Sequence, residues 1–159
     1  MKFCEKIFVC LIAGILAVTL SASARGFISP PFTPSVPRII TIYDVAVEGT
    51  IVPAELLRAI ARVESGEDDS AVGDGGRSLG RFQLLEDYHA SRAAVLGEYD
   101  PRNPVQAGRV AADYLQACLR AFPGDEVSGI AAYRQGIAGV RRNGVGRWYV
   151  ELVKREMEI

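Results

Sequence analysis

Residues 53–66 read PAELLRAIARVESG and are the most informative stretch of the chain. Pro53 is tolerated in a first helical turn, because its missing N–H would have no partner there in any case. Glu55 is favoured near the positive end of the helix dipole. The helical pattern stops at Gly66. These signals predict an α-helix that begins at Pro53 and ends at Gly66.

One carboxylate lies on the apolar stripe of this predicted helix. The stripe has the helical spacing 0, 3, 4 and 7 and consists of Leu57, Ile60, Ala61 and Glu64. An apolar, partly desolvated setting disfavours the charged carboxylate and raises its pKa, so that the group can serve as a general acid near neutral pH. From the periodicity alone, a structural ion pair between Glu64 and a buried arginine explains the position equally well.

The rest of the folded part alternates between loops and helices. Residues 66–80 are rich in glycine and short polar side chains, so we expect tight turns or a small hairpin there. Two prolines interrupt the pattern at 100–104. Helical signals cover five further stretches: 39–48, 82–96, 111–122, 126–133 and 148 onward. We therefore expect a mostly α-helical fold with a small loop or hairpin region after the second helix.

The N-terminal residues carry an export pattern. Two lysines precede an apolar run, and an Ala-Ser-Ala triplet follows at 22–24. This predicts a secretory signal peptide over 1–24, since the run is shorter than the roughly 20 residues of a membrane crossing; retention as an anchor is the alternative. Residues 25–38 are rich in proline and predict an extended linker. One folded domain over 39–159 remains.

Charge and cysteine content exclude several classes of function. The chain has 18 basic and 19 acidic residues, and so no basic excess that would favour nucleic acid. Cys4 and Cys10 lie in the predicted signal, which leaves Cys118 alone and expected to be buried in a helix. With His89 as the single histidine, no cluster resembles a zinc site or a Cys/His catalytic pair. We expect no metal and no cofactor.

Four segments resemble, in order and spacing, the successive motifs of the SLT-type lytic transglycosylases. They are ARVESG at 61–66, GGRSLGRFQLL at 75–85, DPRNPVQAGRVAADYLQ at 100–116 and GIAAYRQGIAGV at 129–140. The resemblance covers about residues 43–155. It implies a mostly helical, goose-lysozyme-like fold with a deep saccharide groove. It also implies cleavage of the bond between N-acetylmuramic acid and N-acetylglucosamine in peptidoglycan.

The matched motifs supply the candidate site residues. Glu64 matches the family's single catalytic acid/base, and Ser65 matches the serine beside it. Gln83 matches a glutamine that lies by the sugar site, and Tyr133 matches a tyrosine close to the catalytic glutamate. The candidate substrate-binding residues are Ser65, Asp74, Ser78, Gln83 and Tyr133.

The chain departs from the family pattern at two places. Arg81 and Phe82 stand where the family usually has Leu-Met, and Arg134 and Gln135 stand where it has Asn-Ala. Phe82 can still offer an apolar wall beneath a sugar ring. Arg134 can alter a subsite or contact a carboxylate of the peptide stem. Both departures concern the shape of the groove more than the acid.

The resemblance implies a reaction without water. Glu64 protonates the leaving oxygen and then removes a proton from the 6-hydroxyl of muramic acid, which closes a 1,6-anhydro ring. A hydrolytic lysozyme is one alternative, because a water could be held by one of the acids just after Glu64: Asp68, Asp69 or Asp74. The same acids can instead be turn-forming carboxylates that bond their own backbone. A non-catalytic peptidoglycan-binding envelope protein is the other alternative.

The resemblance and the export pattern together predict the setting. We expect a monomer that acts on peptidoglycan strands in the bacterial periplasm or cell envelope. The small size of the chain is compatible with recruitment by an envelope-spanning machine.

Overall fold

The computed structural model describes residues 38–97 and 99–158. The predicted signal peptide, and the predicted linker up to residue 37, lie outside the described residues. The helices of the described part are α1 (Ile42–Ala46), α2 (Ala54–Ser65), α3 (Glu86–Leu96), α4 (Pro104–Arg120), α5 (Glu126–Gln135), α6 (Ile137–Asn143) and α7 (Arg147–Met157). A small antiparallel sheet has the order β1 (Val72–Gly73), β2 (Ser78–Leu79) and β3 (Leu84–Leu85).

Helix α2 forms the buried centre of the fold and packs against α7, α1 and α4. Its apolar face is almost fully buried and consists of Leu56, Leu57, Ala59, Ile60 and Ala61. The predicted limits are confirmed, because Pro53 is the N-terminal cap and Gly66 ends the helix in the left-handed conformation, with φ of +70°. The end of α2 therefore has a fixed position relative to the sheet.

The sheet follows α2. Its first two strands form a hairpin in the glycine-rich segment 66–80, where tight turns or a small hairpin were predicted, and β3 lies beyond that segment. Val72 pairs with Leu79, and Leu79 pairs in turn with Leu84. The prediction that helical structure resumes at Phe82 is wrong. Gln83 has φ of +48°, which is incompatible with a right-handed helix, and the next two residues pair with β2. Helix α3 consequently begins at Glu86.

Three other helices differ from the prediction. Helix α4 begins at Pro104, where the Asn103 side chain caps it, and so starts seven residues before the predicted stretch 111–122. Helix α1 begins only after Thr41, whose side chain forms a capping box with Asp44. Helix α6 was not predicted. It has seven residues between Gly136 and Gly144, which both have positive φ, and such a short segment carries little periodic signal.

Helices α4 and α5 complete the core through close backbone approaches. A Cβ at Gly108 would lie 2.8 Å from the Cβ of Ala46 in α1, and a Cβ at Gly129 would lie 2.7 Å from Leu119 in α4. Glycine is therefore required for this packing distance. Cys118 is fully buried in α4, as predicted, and burial raises the pKa of its thiol to about 11.

None of the helices in the described part combines the length and the hydropathy that a membrane crossing requires. The same part of the chain contains no group of three or more His, Cys, Asp or Glu side chains placed to hold a metal ion.

Candidate active site

A cleft of about 490 Å³ opens where the end of α2, the sheet and the end of α5 meet. The described residues that line it are Glu64, Gly73, Asp74, Ser78, Gln83, Leu84, Leu85, Tyr114, Tyr133, Arg134, Gln135 and Gly136. Five of the six predicted site residues are among them, and Ser65 is not. A smaller cleft of about 290 Å³ between α3 and α4 contains none of the predicted residues.

The Glu64 carboxyl group is buried in the wall of this cleft, with only 10% of its side chain exposed. Burial is the main cause that raises its pKa, and the negative charge of Asp74 acts in the same direction. A hydrogen bond from Tyr149 and the positive charge of Arg134 lower the pKa without reversing the net effect. More of the group is therefore protonated near neutral pH than for an exposed glutamate.

The ion-pair explanation for Glu64 fits the structure less well. Among the described residues, the cation that pairs with Glu64 is Arg134, whose Nη1 lies 4.0 Å from Glu64 Oε2 and whose side chain is half exposed. A partner that is hydrated and at this distance offsets only part of the cost of burying a carboxylate. Glu64 is thus a buried acid beside a cation and does not form a tight, buried pair with it.

Among the described residues, Tyr149 is hydrogen bonded to Glu64, and the sequence analysis missed this residue. Its hydroxyl donates a hydrogen bond of 2.7 Å to Glu64 Oε1. Burial raises the pKa of Tyr149 well above its ordinary value, so the phenol remains a donor. From the sequence, Tyr149 resembles an ordinary core residue of α7, since Val150 and Val153 are also buried. The available signal was that a buried tyrosine hydroxyl needs a partner.

Asp74 and Ser78 form one polar pair at the tip of the sheet. Ser78 is buried, and its hydroxyl donates a 2.7 Å hydrogen bond to Asp74 Oδ2. Asp74 has φ of +49° in the turn between β1 and β2. The serine therefore holds the Asp74 carboxylate at the cleft.

The other two acids of this loop have different partners. Asp68 accepts hydrogen bonds from the backbone and side chain of Ser70, as the turn-forming interpretation predicts. Asp69 forms a two-point ion pair with Arg81 at 2.6 and 2.8 Å. Of the three loop acids, only Asp74 lines the cleft.

Gln83 forms part of the cleft wall with its side chain folded against the sheet. Its Nε2 donates a 2.9 Å hydrogen bond to the carbonyl of Gly80. A Cβ at position 73 would lie 2.2 Å from Gln83 Oε1, so Gly73 is required for this packing. The amide is held at the base of the cleft by backbone contacts.

Tyr133 connects α5 to the segment before β3. Its hydroxyl donates a 3.2 Å hydrogen bond to the carbonyl of Phe82, and its ring lies 5.4 Å from the ring of Tyr114. Burial raises the pKa of Tyr133 well above the usual value. The phenol therefore fixes its part of the cleft wall through Phe82, and it is not hydrogen bonded to Glu64.

Ser65 and Phe82 support the cleft from behind. The Ser65 hydroxyl donates to the carbonyl of Arg81 at 2.9 Å and accepts from the N–H of Asp68, which ties the end of α2 to the sheet. Phe82 is 1% exposed and packs edge-on against Tyr43. The expectation that Phe82 forms a wall beneath a sugar ring is wrong, because its backbone turn directs the ring into the core.

Arg81 replaces the usual leucine with a polar network. Besides its ion pair with Asp69, it donates a 3.0 Å hydrogen bond to the hydroxyl of Tyr43, which donates in turn to Glu67. Burial and the hydrogen bond to Glu67 raise the pKa of Tyr43 to about 12. The network ties α1 to the residues that follow α2 and to the turn between β2 and β3, and its members do not line the cleft.

Comparison with known proteins gives a consistent result. Residues 44–147 match the family model described as "Transglycosylase SLT domain". The structure is similar to the 70 kDa soluble lytic transglycosylase from Escherichia coli, with a TM-score of 0.57, 22% identity, and coverage of 74% of this chain and 21% of that chain. A complex of the 70-kDa soluble lytic transglycosylase with bulgecin A gives a TM-score of 0.55 and 20% identity, with the same coverage.

This chain therefore spans about a fifth of the length of those two structures. The likeness confirms the predicted fold class, a mostly helical, lysozyme-like domain. The search among curated proteins found no match.

Proposed function

Because this chain belongs to the transglycosylase SLT domain family, we propose that it is a peptidoglycan lytic transglycosylase. It cleaves the β-1,4 bond between N-acetylmuramic acid and N-acetylglucosamine and leaves a 1,6-anhydro end. The observation that carries this proposal is the buried Glu64 carboxyl group in the wall of the cleft, with its raised pKa. A protonated carboxyl group is what the departure of a sugar oxygen requires.

The reaction needs one acid that later serves as a base. Protonated Glu64 gives its proton to the glycosidic oxygen while the bond from that oxygen to C1 of the muramic residue breaks. The N-acetyl group of the substrate stabilises the positive charge at C1. The Glu64 carboxylate then takes the proton of the 6-hydroxyl group of the muramic residue, and the oxygen of that hydroxyl group bonds to C1. Glu64 ends protonated, and no water is consumed.

The surroundings of Glu64 support both of its protonation states. Burial favours the neutral acid before cleavage. Tyr149 and Arg134 favour the carboxylate that forms when the bond breaks, through a 2.7 Å hydrogen bond and a positive charge 4.0 Å away. A group that must first give and then take a proton works best when neither form is strongly preferred.

Hydrolysis is the second candidate, because Asp74 lines the same cleft. Ordinary glycosidases use two carboxyl groups, one of which can direct a water. Asp74 has one oxygen bonded to Ser78 and is near enough to Glu64 to influence its pKa. We favour the transglycosylase because Glu64 alone can perform both proton transfers.

Mass spectrometry of the soluble products separates the two reactions. Purified peptidoglycan digested with the protein should give fragments that end in 1,6-anhydro-N-acetylmuramic acid, each lighter by one water than a reducing fragment. Fragments with reducing ends would identify a hydrolase.

We also propose that the protein is exported and meets peptidoglycan outside the cytoplasm. The support is the signal pattern over 1–24 and the location of the substrate class. The mass of the protein recovered from an exporting bacterial host should correspond to a chain that begins at Arg25. A mass that includes the first 24 residues would favour an N-terminal anchor.

A further inference from the structure

The cleft contains one cation among the described residues that line it. This is Arg134, which lies near the end of α5 beside two acids, Glu64 and Asp74. Its side chain is 50% exposed. A transglycosylase acting on the uncharged sugar backbone alone has no evident use for an exposed guanidinium here.

The guanidinium is held in place by aromatic rings. It lies over the ring of Trp148 at 5.0 Å and over the ring of Tyr149 at 5.8 Å. Trp148 itself stands edge-on to Tyr149, with the ring planes at 81°. Cation–π stacking of this kind orients the flat arginine fork, so less side-chain entropy is lost when it binds a ligand.

The hydrogen-bonding capacity of Arg134 is not used within the described part of the chain. Its nearest acidic oxygen is Glu64 Oε2, and 4.0 Å exceeds a hydrogen-bond distance. When Glu64 is protonated, as the proposed reaction requires, even this partner carries no charge. The cleft then presents an oriented arginine fork that forms no hydrogen bond and no other ion pair within 4.0 Å in the described part of the chain.

We propose that Arg134 binds a carboxylate carried on the lactyl branch of the N-acetylmuramic acid residue being cleaved. The proposal rests on the proposed function. The arginine fork matches a carboxylate through two parallel hydrogen bonds. The branch is attached to C3 of the sugar whose C1 is attacked, which brings its carboxylates close to the group that Glu64 serves. The carboxylate belongs either to the stem peptide or, in peptide-free strands, to the lactyl group itself.

This contact would couple substrate recognition to the catalytic acid. The charge of Arg134 lowers the pKa of Glu64 in the free protein. A substrate carboxylate on Arg134 neutralises that influence and favours the protonated acid. A substrate that carries the carboxylate would therefore increase the protonated fraction of Glu64, which is the form that cleaves the bond.

Binding measured without turnover tests the proposal. In a Glu64→Gln background, which mimics the protonated acid, three tetrasaccharide ligands are titrated. The first has stem peptides with free carboxylates, the second has the same peptides fully amidated, and the third has no peptide and free lactyl carboxylates. Arg134→Gln should weaken binding of at least one carboxylate ligand about tenfold, since a charged hydrogen-bond pair is lost. It should change binding of the amidated ligand less than about twofold.

Two further variants define the chemistry. Arg134→Lys keeps the charge but loses the planar fork and should give an intermediate loss. Arg142→Gln removes an exposed arginine of α6 that does not line the cleft, and it should bind all three ligands like the parent protein.

Each outcome is decisive. Loss only with the first ligand assigns the contact to the stem peptide, and loss with the third assigns it to the lactyl group. Equal loss with all three ligands, or no loss with any, overturns the proposal. The products formed by the wild-type protein decide the proposed function separately, because these titrations need no cleavage.

Discussion

The pKa of Glu64 is set by opposing effects of its neighbours. Burial and the charge of Asp74 raise its pKa, while the Tyr149 hydroxyl and the Arg134 charge lower it, and burial is the largest of these effects. Catalytic acids commonly have such competing influences, because each protonation state must be accessible in turn. The residues around Glu64 therefore set the pH range in which it can act.

Replacing Tyr149 with phenylalanine tests this balance. The hydroxyl stabilises the charged form of Glu64, so its removal should raise the pKa of Glu64 further. A general acid is active while protonated, and the alkaline fall in kcat/KM should therefore move to higher pH. The measurement is the pH profile of fragment release from peptidoglycan.

Tyr43→Phe is the matched control for this experiment. It removes a tyrosine–carboxylate hydrogen bond, to Glu67, that lies outside the cleft. Its alkaline limb should coincide with that of the wild type. An alkaline limb that is unchanged or moves to lower pH in Tyr149→Phe would contradict the role given to the hydroxyl.

For single residues, the sequence predicts burial that follows from helical spacing, but it does not predict contacts with residues far along the chain. Glu64 follows three buried residues at helical spacing, and that periodicity correctly predicts its burial. Tyr149 is 85 positions away and belongs to another helix, so no spacing connects the two residues. Phe82 shows the opposite error, because its motif position suggested the groove while the left-handed turn at Gln83 places the ring in the core.

At the element scale, the short sheet has to be held against the rest of the fold to present Asp74 and Gln83. Gly80 is the tightest point of contact. It has φ of +70°, and a Cβ there would lie 1.9 Å from the carbonyl oxygen of Pro101 in the loop before α4. Its N–H also donates to Ala71. The position of the sheet therefore depends on the absence of a side chain at this residue.

Gly80→Ala should destabilise the protein by about 2 kcal/mol or more, since the left-handed strain and the clash with Pro101 add together. Gly75→Ala is the matched control. It has φ of +67° but nothing within 4 Å of the added carbon, so only the strain of about 1 kcal/mol remains. Urea unfolding followed by circular dichroism gives both values. Equal midpoints for the two variants would show that the contact with Pro101 does not hold the sheet.

The helices could be predicted from the sequence where an apolar face or a capping residue was clear. Helices α2, α4, α5 and α7 have apolar faces or caps that the sequence displays. The strands have two residues each, which is too short for an alternating pattern, so the glycine-rich composition predicted a turn or hairpin but not the strands themselves. Helix α3 was predicted to begin four residues too early, because the apolar side chains of Phe82, Leu84 and Leu85 fit either a helix or a strand.

At the scale of the whole molecule, the fold, the family and the cleft lead to the same proposal. The chain matches the family model over 44–147 and has a lysozyme-like fold. The cleft brings together motif residues from three separate segments, including Glu64, Gln83 and Tyr133. The resemblance of the motifs predicted that these residues lie near one another. In the structure, each of them lies at or near the end of a helix or strand that borders the cleft. The aromatic support of Arg134 depends on α7 and could not be predicted in this way.

The central claim is that Glu64 is the acid that cleaves peptidoglycan, and the most direct test is the release of soluble fragments from purified peptidoglycan by Glu64→Gln. The control is Glu55→Gln, which makes the same change at an exposed position in the first turn of the same helix. We predict that Glu64→Gln loses roughly 10²–10⁴-fold in rate, the usual contribution of a general acid, while Glu55→Gln retains wild-type activity. Equal rates of release by the wild type and Glu64→Gln would contradict this role of Glu64, and no release by either protein would favour the non-catalytic binding protein.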